Sequence, residues 1–281
     1  MTYRQLFKSF QNELAGKYEP GELNSMFFLA LDHYASLSKM DYFMHENYEF
    51  KRSAILQFDN LIAQLSVYTP IQYVLGVAWF KDHKYFVDEN VLVPRSETEE
   101  LIQIIQQKRP SAKTIIDIGT GSGCIAIELA LIFKSKVFGL DISEKALKVA
   151  EKNAEIHKAK VDFIHQSILN ENLHISGKFD IIISNPPYVM DSEKAIMPEN
   201  VVNFEPKEAL FVPDNDPLLF YKAIRNFAIT HATKDALVAV EINEQLGLET
   251  AGLFSGSFKN VTVHKDIHGK DRFVTAIYDG E

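Results

Sequence analysis

The segment Ile115-Ile116-Asp117-Ile118-Gly119-Thr120-Gly121-Ser122-Gly123 constrains this chain more than any other. An apolar, β-branched run passes straight into three alternating glycines, and a helical pattern, Cys124-Ile125-Ala126-Ile127-Glu128-Leu129, starts at once. Such a run forms a strand covered on both faces, because a strand with one wet face alternates apolar and polar side chains. The glycines let the backbone turn tightly and pass close to a ligand without a Cβ clash. The alternation then repeats. TIIDI, KVFGLDI, VDFIHQ, FDIIIS and ALVAVEI read as strands, with helices in SEKALKVAEKNAEIH and LLFYKAIRNFA. NVTVHKD and DRFVTAIY, joined through His268-Gly269, add an antiparallel pair. The expected class is α/β: a mostly parallel seven-stranded sheet with helices on both faces.

Residues 1–69 read differently. Thr2 is expected to cap a helix through Leu6, Phe7, Phe10 and Leu14 that ends near Gly16. Leu23, Phe27, Leu31 and Tyr34 mark a second helix, and Ile55, Phe58, Leu61, Ile62 and Leu65 a third. Spacings of three and four put these residues on one face of each helix, so the helices must pack together as a small bundle. Residues 70–94 hold aromatic and β-branched residues around Gly76 and Lys81-Asp82-His83, which predicts a β-hairpin linking the bundle to the sheet-bearing domain, 95–281. A helix is expected from near Ser96, a good cap, with Glu97, Glu99 and Glu100 in its first turn, where the helix dipole favours negative charge.

No stretch has the unbroken apolar length of a membrane helix, and the amphipathic N-terminus is unlike a signal or transit peptide. One cysteine, Cys124, precludes an intrachain disulfide framework, and the expected compartment is the cytoplasm. The formal charge of −9 is spread along the chain with no Lys/Arg block. Lys and Arg drive most nucleic-acid affinity, so no direct nucleic-acid substrate is expected, although the charge can equally serve solubility alone. The nine His residues lack metal-ligand spacing, which predicts no metal. Cys124, inside the glycine-loop helix, reads as packing rather than as a nucleophile.

The glycine loop also limits the ligand. A dinucleotide fingerprint needs glycine at the position of Cys124, and a phosphate-binding P-loop needs a Gly-Lys-Ser/Thr that is absent. The second strand ends in Asp141, about twenty residues past the glycines, where a carboxylate can accept hydrogen bonds from both ribose hydroxyls of an adenosine. Asp117 and Asp141 each have a structural reading too, Asp117 as a strand or helix cap and Asp141 as an Asx-turn before Ser143. An acid, three alternating glycines and a strand-terminal acid resemble the pattern of class I S-adenosylmethionine methyltransferases. That resemblance implies that Asp117, Gly119, Thr120, Gly121, Ser122, Gly123 and Asp141 hold the cofactor.

The chemistry should lie at the end of FDIIIS, in Asn185-Pro186-Pro187-Tyr188, because ligands of open α/β sheets sit beyond the carboxyl ends of the strands. An amide nitrogen is a poor nucleophile, since its lone pair is delocalised into the carbonyl. Its two N–H groups can donate to the Asn185 side-chain oxygen and the Pro186 main-chain carbonyl. Both acceptors bind more strongly as the nitrogen becomes positive, which stabilises the transition state selectively. Pro187 fixes its own φ and restricts Pro186, and Tyr188 offers a flat face for a planar group. The exocyclic amine of adenine or cytosine fits the same geometry, so these residues define a conjugated NH₂ without naming its owner.

Outward from that tetrapeptide the chain resembles the glutamine-N5 methyltransferases of class I peptide-chain release factors. The matching residues are Pro70 to Gly76, Val91 to Glu99, the glycine loop, Asn185 to Tyr188, and Phe204-Glu205-Pro206 with Ala209-Leu210. Glu241-Ile242 with Gln245 and Gly247, and Lys265-Asp266 with Gly269 and Asp271-Arg272, continue it. The resemblance implies a helical substrate-recognition domain and a Rossmann-like class I methyltransferase domain. It also implies S-adenosylmethionine as cofactor, and as partner a release factor whose Gly-Gly-Gln glutamine is methylated. Carried over, Asn185, Pro186, Pro187 and Tyr188 hold the glutamine amide, and Leu169 and Asn185 join the cofactor residues. Two departures stand out. Ser96 replaces a proline, and Ile168 stands where the family often has an adenine-facing Asp. Glu205 is expected on a lid over the substrate or in a simple turn. The competing expectations are an adenine-N6 methyltransferase of DNA or RNA, and a glutamine methyltransferase of a ribosomal protein.

Overall fold

The computed structural model describes residues 1–170 and 173–280. The chain divides into two compact units, one of residues 1–76 with 198–204, the other of residues 77–197 with 205 onward.

The first unit is helical: α1 (Tyr3–Glu13), α2 (Pro20–Ala35), α3 (Lys39–Met44), α4 (Arg52–Ser66) and α5 (Ile71–Leu75). Thr2 caps α1 in a reciprocal box, accepting from Gln5 N at 3.2 Å while its own N–H donates to Gln5 Oε1 at 2.9 Å. The apolar faces meet in a core centred on Phe10, Phe27, Leu31, Phe58 and Leu61, all fully buried. Of these five, two short helices have no counterpart in the sequence reading. Six residues in α3 are too few to show a helical period, and its start is held by a Ser38–Asp41 capping box. Helix α5 stands where a hairpin was expected to begin; its single turn is closed by Gly76 at φ 64°, a left-handed conformation that favours glycine.

In the second unit β1 (Val77–Phe80) and β2 (His83–Phe86) form an antiparallel hairpin, followed by α6 (Thr98–Lys108). The expected cap at Ser96 is corrected here. Glu97 occupies the cap position without a side-chain bond, and Ser96 Oγ donates to Glu97 Oε2 at 3.0 Å instead. A short turn, with Thr98 N–H donating to Arg95 O at 3.2 Å, delays the helix by two residues. There follow β3 (Thr114–Ile118), α7 (Cys124–Phe133), β4 (Lys136–Asp141), α8 (Glu144–His157), β5 (Val161–His165), β6 (Phe179–Ser184) and β7 (Val189–Met190). After α9 (Glu199–Phe204), which belongs to the first unit, come β8 (Phe211–Val212), α10 (Leu219–His231), β9 (Ala232–Glu241), α11 (Gly247–Leu253), β10 (Phe258–Lys265) and β11 (Asp271–Tyr278).

Seven strands make the main sheet in the order β10-β11-β9-β6-β3-β4-β5. The five from β9 to β5 are parallel, while β11 runs antiparallel to both its neighbours. The alternation of side chains along each strand explains its unbroken apolar sequence. Ile116, Ile118 and Ile182 face α10, with Tyr221, Ile224 and Phe227; Ile115, Ile181 and Ile183 face α6 and α7, with Leu101, Ile105 and Leu129. From β3 the chain runs outward to β4 and β5, then crosses back to β6 on the other side of β3. The order reverses between β3 and β6, the place at the carboxyl ends of the strands where open α/β sheets bind ligands.

Candidate active site

Glycine-loop geometry follows from the strand it leaves. Gly119, Gly121 and Gly123 have φ of 73°, 54° and 80°, all in the left-handed region. Gly119 N–H and Thr120 N–H both donate to Leu140 O, at 2.8 and 3.0 Å, pinning the loop to the end of β4. A Cβ on Gly123 would lie 3.0 Å from Ala150 Cβ and 3.2 Å from Ala150 Cα, so α7 and α8 approach here only because the side chain is absent. Gly123→Ala is therefore expected to destabilise the protein by about 1–3 kcal/mol, read as a lower midpoint in urea unfolding.

Asp141 closes β4 with its carboxylate shared between two loops. One oxygen accepts from Gly121 N at 2.8 Å, and the other accepts from Ser143 N at 2.9 Å in an Asx-turn. Ser143 Oγ in turn caps α8 through Ala146 N at 3.1 Å. Burial raises the Asp141 carboxyl above its ordinary range, opposed by the backbone N–H groups of Ser143 and Gly121. The Asx-turn expected of Asp141 is present, and the residue also lines a cavity.

These elements wall a cavity of about 730 Å³. Of the residues singled out in sequence, Gly119, Gly121, Asp141, Leu169, Asn185, Pro186 and Pro187 line it. Asp117, Thr120, Ser122, Gly123 and Tyr188 do not. Asp117 is fully buried and accepts from Thr120 Oγ1 at 2.6 Å, so it stands behind the loop. Its carboxyl is pushed up to about 7, first by burial and further by Asp141, against the Thr120 hydrogen bond. A carboxyl raised from its unfolded value near 4 to about 7 holds its proton longer in the folded state, so stability falls as pH rises through that window. Asp117→Asn removes this slope. The melting temperature of the variant relative to the wild type should rise between pH 5 and pH 8, by the equivalent of about 2–4 kcal/mol. An unchanged gap would show that Asp117 folds as the carboxylate.

Ile168, where the resemblance led us to look for a carboxylate, is half-buried on the cavity wall and packs against the core. Cys124 is buried, and burial pushes its thiol up to about 12, which keeps it protonated and without nucleophilic character. Among the described residues no three His, Cys, Asp or Glu side chains cluster as metal ligands, and no helix is long and apolar enough to cross a membrane.

The end of β6 is tied to the end of β3 by Ser184 Oγ donating to Ile118 O at 2.6 Å. Beyond it, Asn185 and Tyr188 meet a buried polar group that the sequence reading assigned to no function. Thr98, the first residue of α6, accepts from Asn185 Nδ2 at 3.2 Å and donates to Glu241 Oε2 at 2.6 Å. Tyr188 donates its hydroxyl to Glu241 Oε1 at 3.1 Å. Thr98 and Glu241 are 2% and 1% exposed, so solvent does not compete for these bonds. Glu241 ends the apolar strand β9, and a carboxylate in such a run is the signal that could have marked it.

Asn153, fully buried in α8, was also missed. Its Oδ1 accepts from Phe86 N at 2.7 Å, and its Nδ2 donates to Phe86 O and Ser122 O, each at 2.9 Å. It fastens the hairpin to the glycine loop, and the hairpin's exit, Glu89 to Leu92, forms part of the cavity wall. Glu205 is 5% exposed and takes Arg95 Nη2 on both oxygens, at 2.8 and 2.9 Å. Pro206, Glu208, Ala209 and Phe211 beyond it line the cavity, and β8 pairs with β7. Glu205 is thus the buried foot of a segment that lines the cavity.

A mostly parallel seven-stranded sheet with a glycine loop and an Asn-Pro-Pro-Tyr turn at its switch point defines a class I methyltransferase. Family comparisons agree: the family described as "Methyltransferase domain" matches residues 110–226, and "PrmC N-terminal domain" matches residues 5–76. The release factor glutamine methyltransferase of Flavobacterium psychrophilum is 41% identical over 281 residues, covering 98% of each chain. That of Bacteroides thetaiotaomicron is 38% identical over 261 residues, 92% of this chain and 94% of the relative. The chain belongs to the release factor glutamine methyltransferase family. Among solved structures, the hMettl16 catalytic domain in complex with the MAT2A 3'UTR hairpin 1 shares the fold, with a TM-score of 0.56 at 13% identity over 96% of this chain and 94% of that one.

Proposed function

We propose that this protein transfers a methyl group from S-adenosylmethionine to the side-chain amide nitrogen of the glutamine in the Gly-Gly-Gln motif of class I peptide-chain release factors. The carrying observation is Asn185, at the carboxyl end of β6 on the wall of a 730 Å³ cavity that also holds the glycine loop and Asp141. The cavity residues fit the cofactor. Gly119 and Gly121 leave room for close approach, Asp141 has lone pairs for both ribose hydroxyls, and Leu169 and Ile168 offer apolar surface to the adenine. When bound there, S-adenosylmethionine supplies a methyl group made electrophilic by its sulfonium.

The protein's own share is positioning. Asn185 Oδ1 and Pro186 O accept the two amide protons and turn the nitrogen lone pair toward the methyl. As the nitrogen gains positive charge both bonds strengthen, and no base is needed before transfer because the cationic product is acidic. Tyr188, with its hydroxyl fixed on Glu241, supports the planar amide. The helical unit is the release-factor recognition surface in this reading, and its match to the PrmC N-terminal domain supports that role.

The test is transfer of label from methyl-labelled S-adenosylmethionine to an unmethylated release factor. A variant factor with the Gly-Gly-Gln glutamine changed to alanine, a ribosomal protein mixture and DNA serve as parallel substrates. Label on the intact factor and none on the alanine variant is the expected result. Label confined to ribosomal protein or DNA would overturn the substrate while keeping the chemistry.

A further inference from the structure

We infer that Thr98 and Glu241 are positioning residues that fix which way round the Asn185 amide sits, so that its oxygen and not its NH₂ group faces the substrate nitrogen. This rests on the function proposed above, since only a donor substrate needs an acceptor at that place.

The argument is one of proton direction. Burial raises the Glu241 carboxyl, opposed by the hydrogen bonds from Thr98 and Tyr188 and by Arg272. Both hydroxyls donate to it, Tyr188 to Oε1 at 3.1 Å and Thr98 to Oε2 at 2.6 Å. Thr98 has a single hydroxyl proton, and it is spent on Glu241. What Thr98 Oγ1 can still offer is a lone pair, and the only side-chain group of Asn185 that can use it is Nδ2, found at 3.2 Å. The amide therefore cannot rotate by half a turn without setting its oxygen against the Thr98 lone pairs. With Nδ2 held, Oδ1 points away from Thr98, and among the described residues it has no hydrogen-bond partner of its own. Glu241 thus orients both ends of the Asn185-to-Tyr188 turn, although the tetrapeptide itself carries no charge. The short bond from Thr98 and the near-complete burial of both residues keep water from scrambling these directions.

Thr98→Val keeps the shape of the side chain and removes the relay. It is expected to lower kcat by about 10–100-fold while the Kd for S-adenosylhomocysteine, read by calorimetry, stays within about twofold. Thr98→Ser, which keeps the hydroxyl, should restore kcat to within about threefold of the wild type. The decisive arm is a double-mutant cycle: in an Asn185→Ala background, Thr98→Val should cost no more than about twofold in single-turnover rate, because Thr98 has nothing left to orient. Equal losses in both backgrounds, or a cofactor Kd that weakens in step with kcat, would overturn the inference and leave Thr98 a packing residue. Glu241→Gln gives a second route should the valine variant not fold. Its carboxamide must donate to one hydroxyl, and the same split between kcat and Kd is expected. An independent readout needs no substrate: in ¹⁵N spectra the Asn185 side-chain N–H proton bonded to Thr98 should resonate away from the position of a free asparagine amide in the wild type, and move to that position in Thr98→Val. A wild-type enzyme that leaves the release factor unlabelled would overturn the substrate reading, and the amide spectra would then decide the relay alone.

Discussion

Replacing Asn185 by alanine is expected to lower kcat for release-factor methylation by about 100- to 1,000-fold, the loss typical of removing one preorganised polar group from a transition state. The Kd for S-adenosylhomocysteine should change by less than about threefold, because a single wall residue contributes little of the buried surface of such a ligand. The separation of the two effects is the point. An acceptor that matters only as the nitrogen acquires charge contributes to kcat and not to ground-state binding. Single-turnover labelling at saturating cofactor is the measurement. A variant that turns over at near-normal rate would remove Asn185 from the mechanism.

Asp141→Ala should show the opposite pattern. Its carboxylate accepts from Gly121 N at 2.8 Å and Ser143 N at 2.9 Å, and the residue lines the cavity, where the proposed role has it accept from two ribose hydroxyls. Hydrogen bonds to a charged group are worth about 1.5–3 kcal/mol each, so losing two weakens cofactor binding by about 100-fold or more. The loop also loosens when Gly121 N and Ser143 N lose their acceptor, and the melting temperature should fall with it. At cofactor concentrations high enough to saturate the variant, kcat should recover most of its wild-type value. A Kd within threefold of wild type would show that Asp141 serves the turn alone.

Much of this was readable before any coordinates, and the reason lies in how locally each feature is encoded. The strand-loop-helix at Ile115 to Gly123 is a run of adjacent residues whose backbone demands are intrinsic: β-branched side chains extend, and glycines take positive φ. The mostly parallel sheet with an antiparallel final pair followed from the same regularity, since strands alternating with helices pair in parallel; the order of the strands did not. Proximity between distant residues was not encoded in that way. Thr98 lies 87 residues from Asn185 and 143 from Glu241, and Tyr188 lies 53 residues from Glu241. A threonine at the start of a helix reads as a cap, and only the register of β9 beside β6 brings Glu241 to it. Asn153 is similar. In sequence it is one polar residue among many on an amphipathic helix, whereas in the fold it joins the glycine loop to β2, whose Phe86 lies 67 residues before it. The six-residue α3 and the two-residue strands β7 and β8 escaped because nothing so short shows a period.

The helical unit includes residues 198–204 as well as 1–76, so it is discontinuous in sequence. That bears on how the protein is made. The first 76 residues leave the ribosome early, yet the last piece of their unit is synthesised only after β6 and the Asn-Pro-Pro-Tyr turn. A nascent chain halted before residue 198 therefore holds an incomplete N-terminal unit, however well its helices have formed. The same arrangement limits dissection: a fragment starting at residue 77 carries α9 without the helices it is grouped with, and a fragment ending at residue 76 lacks α9.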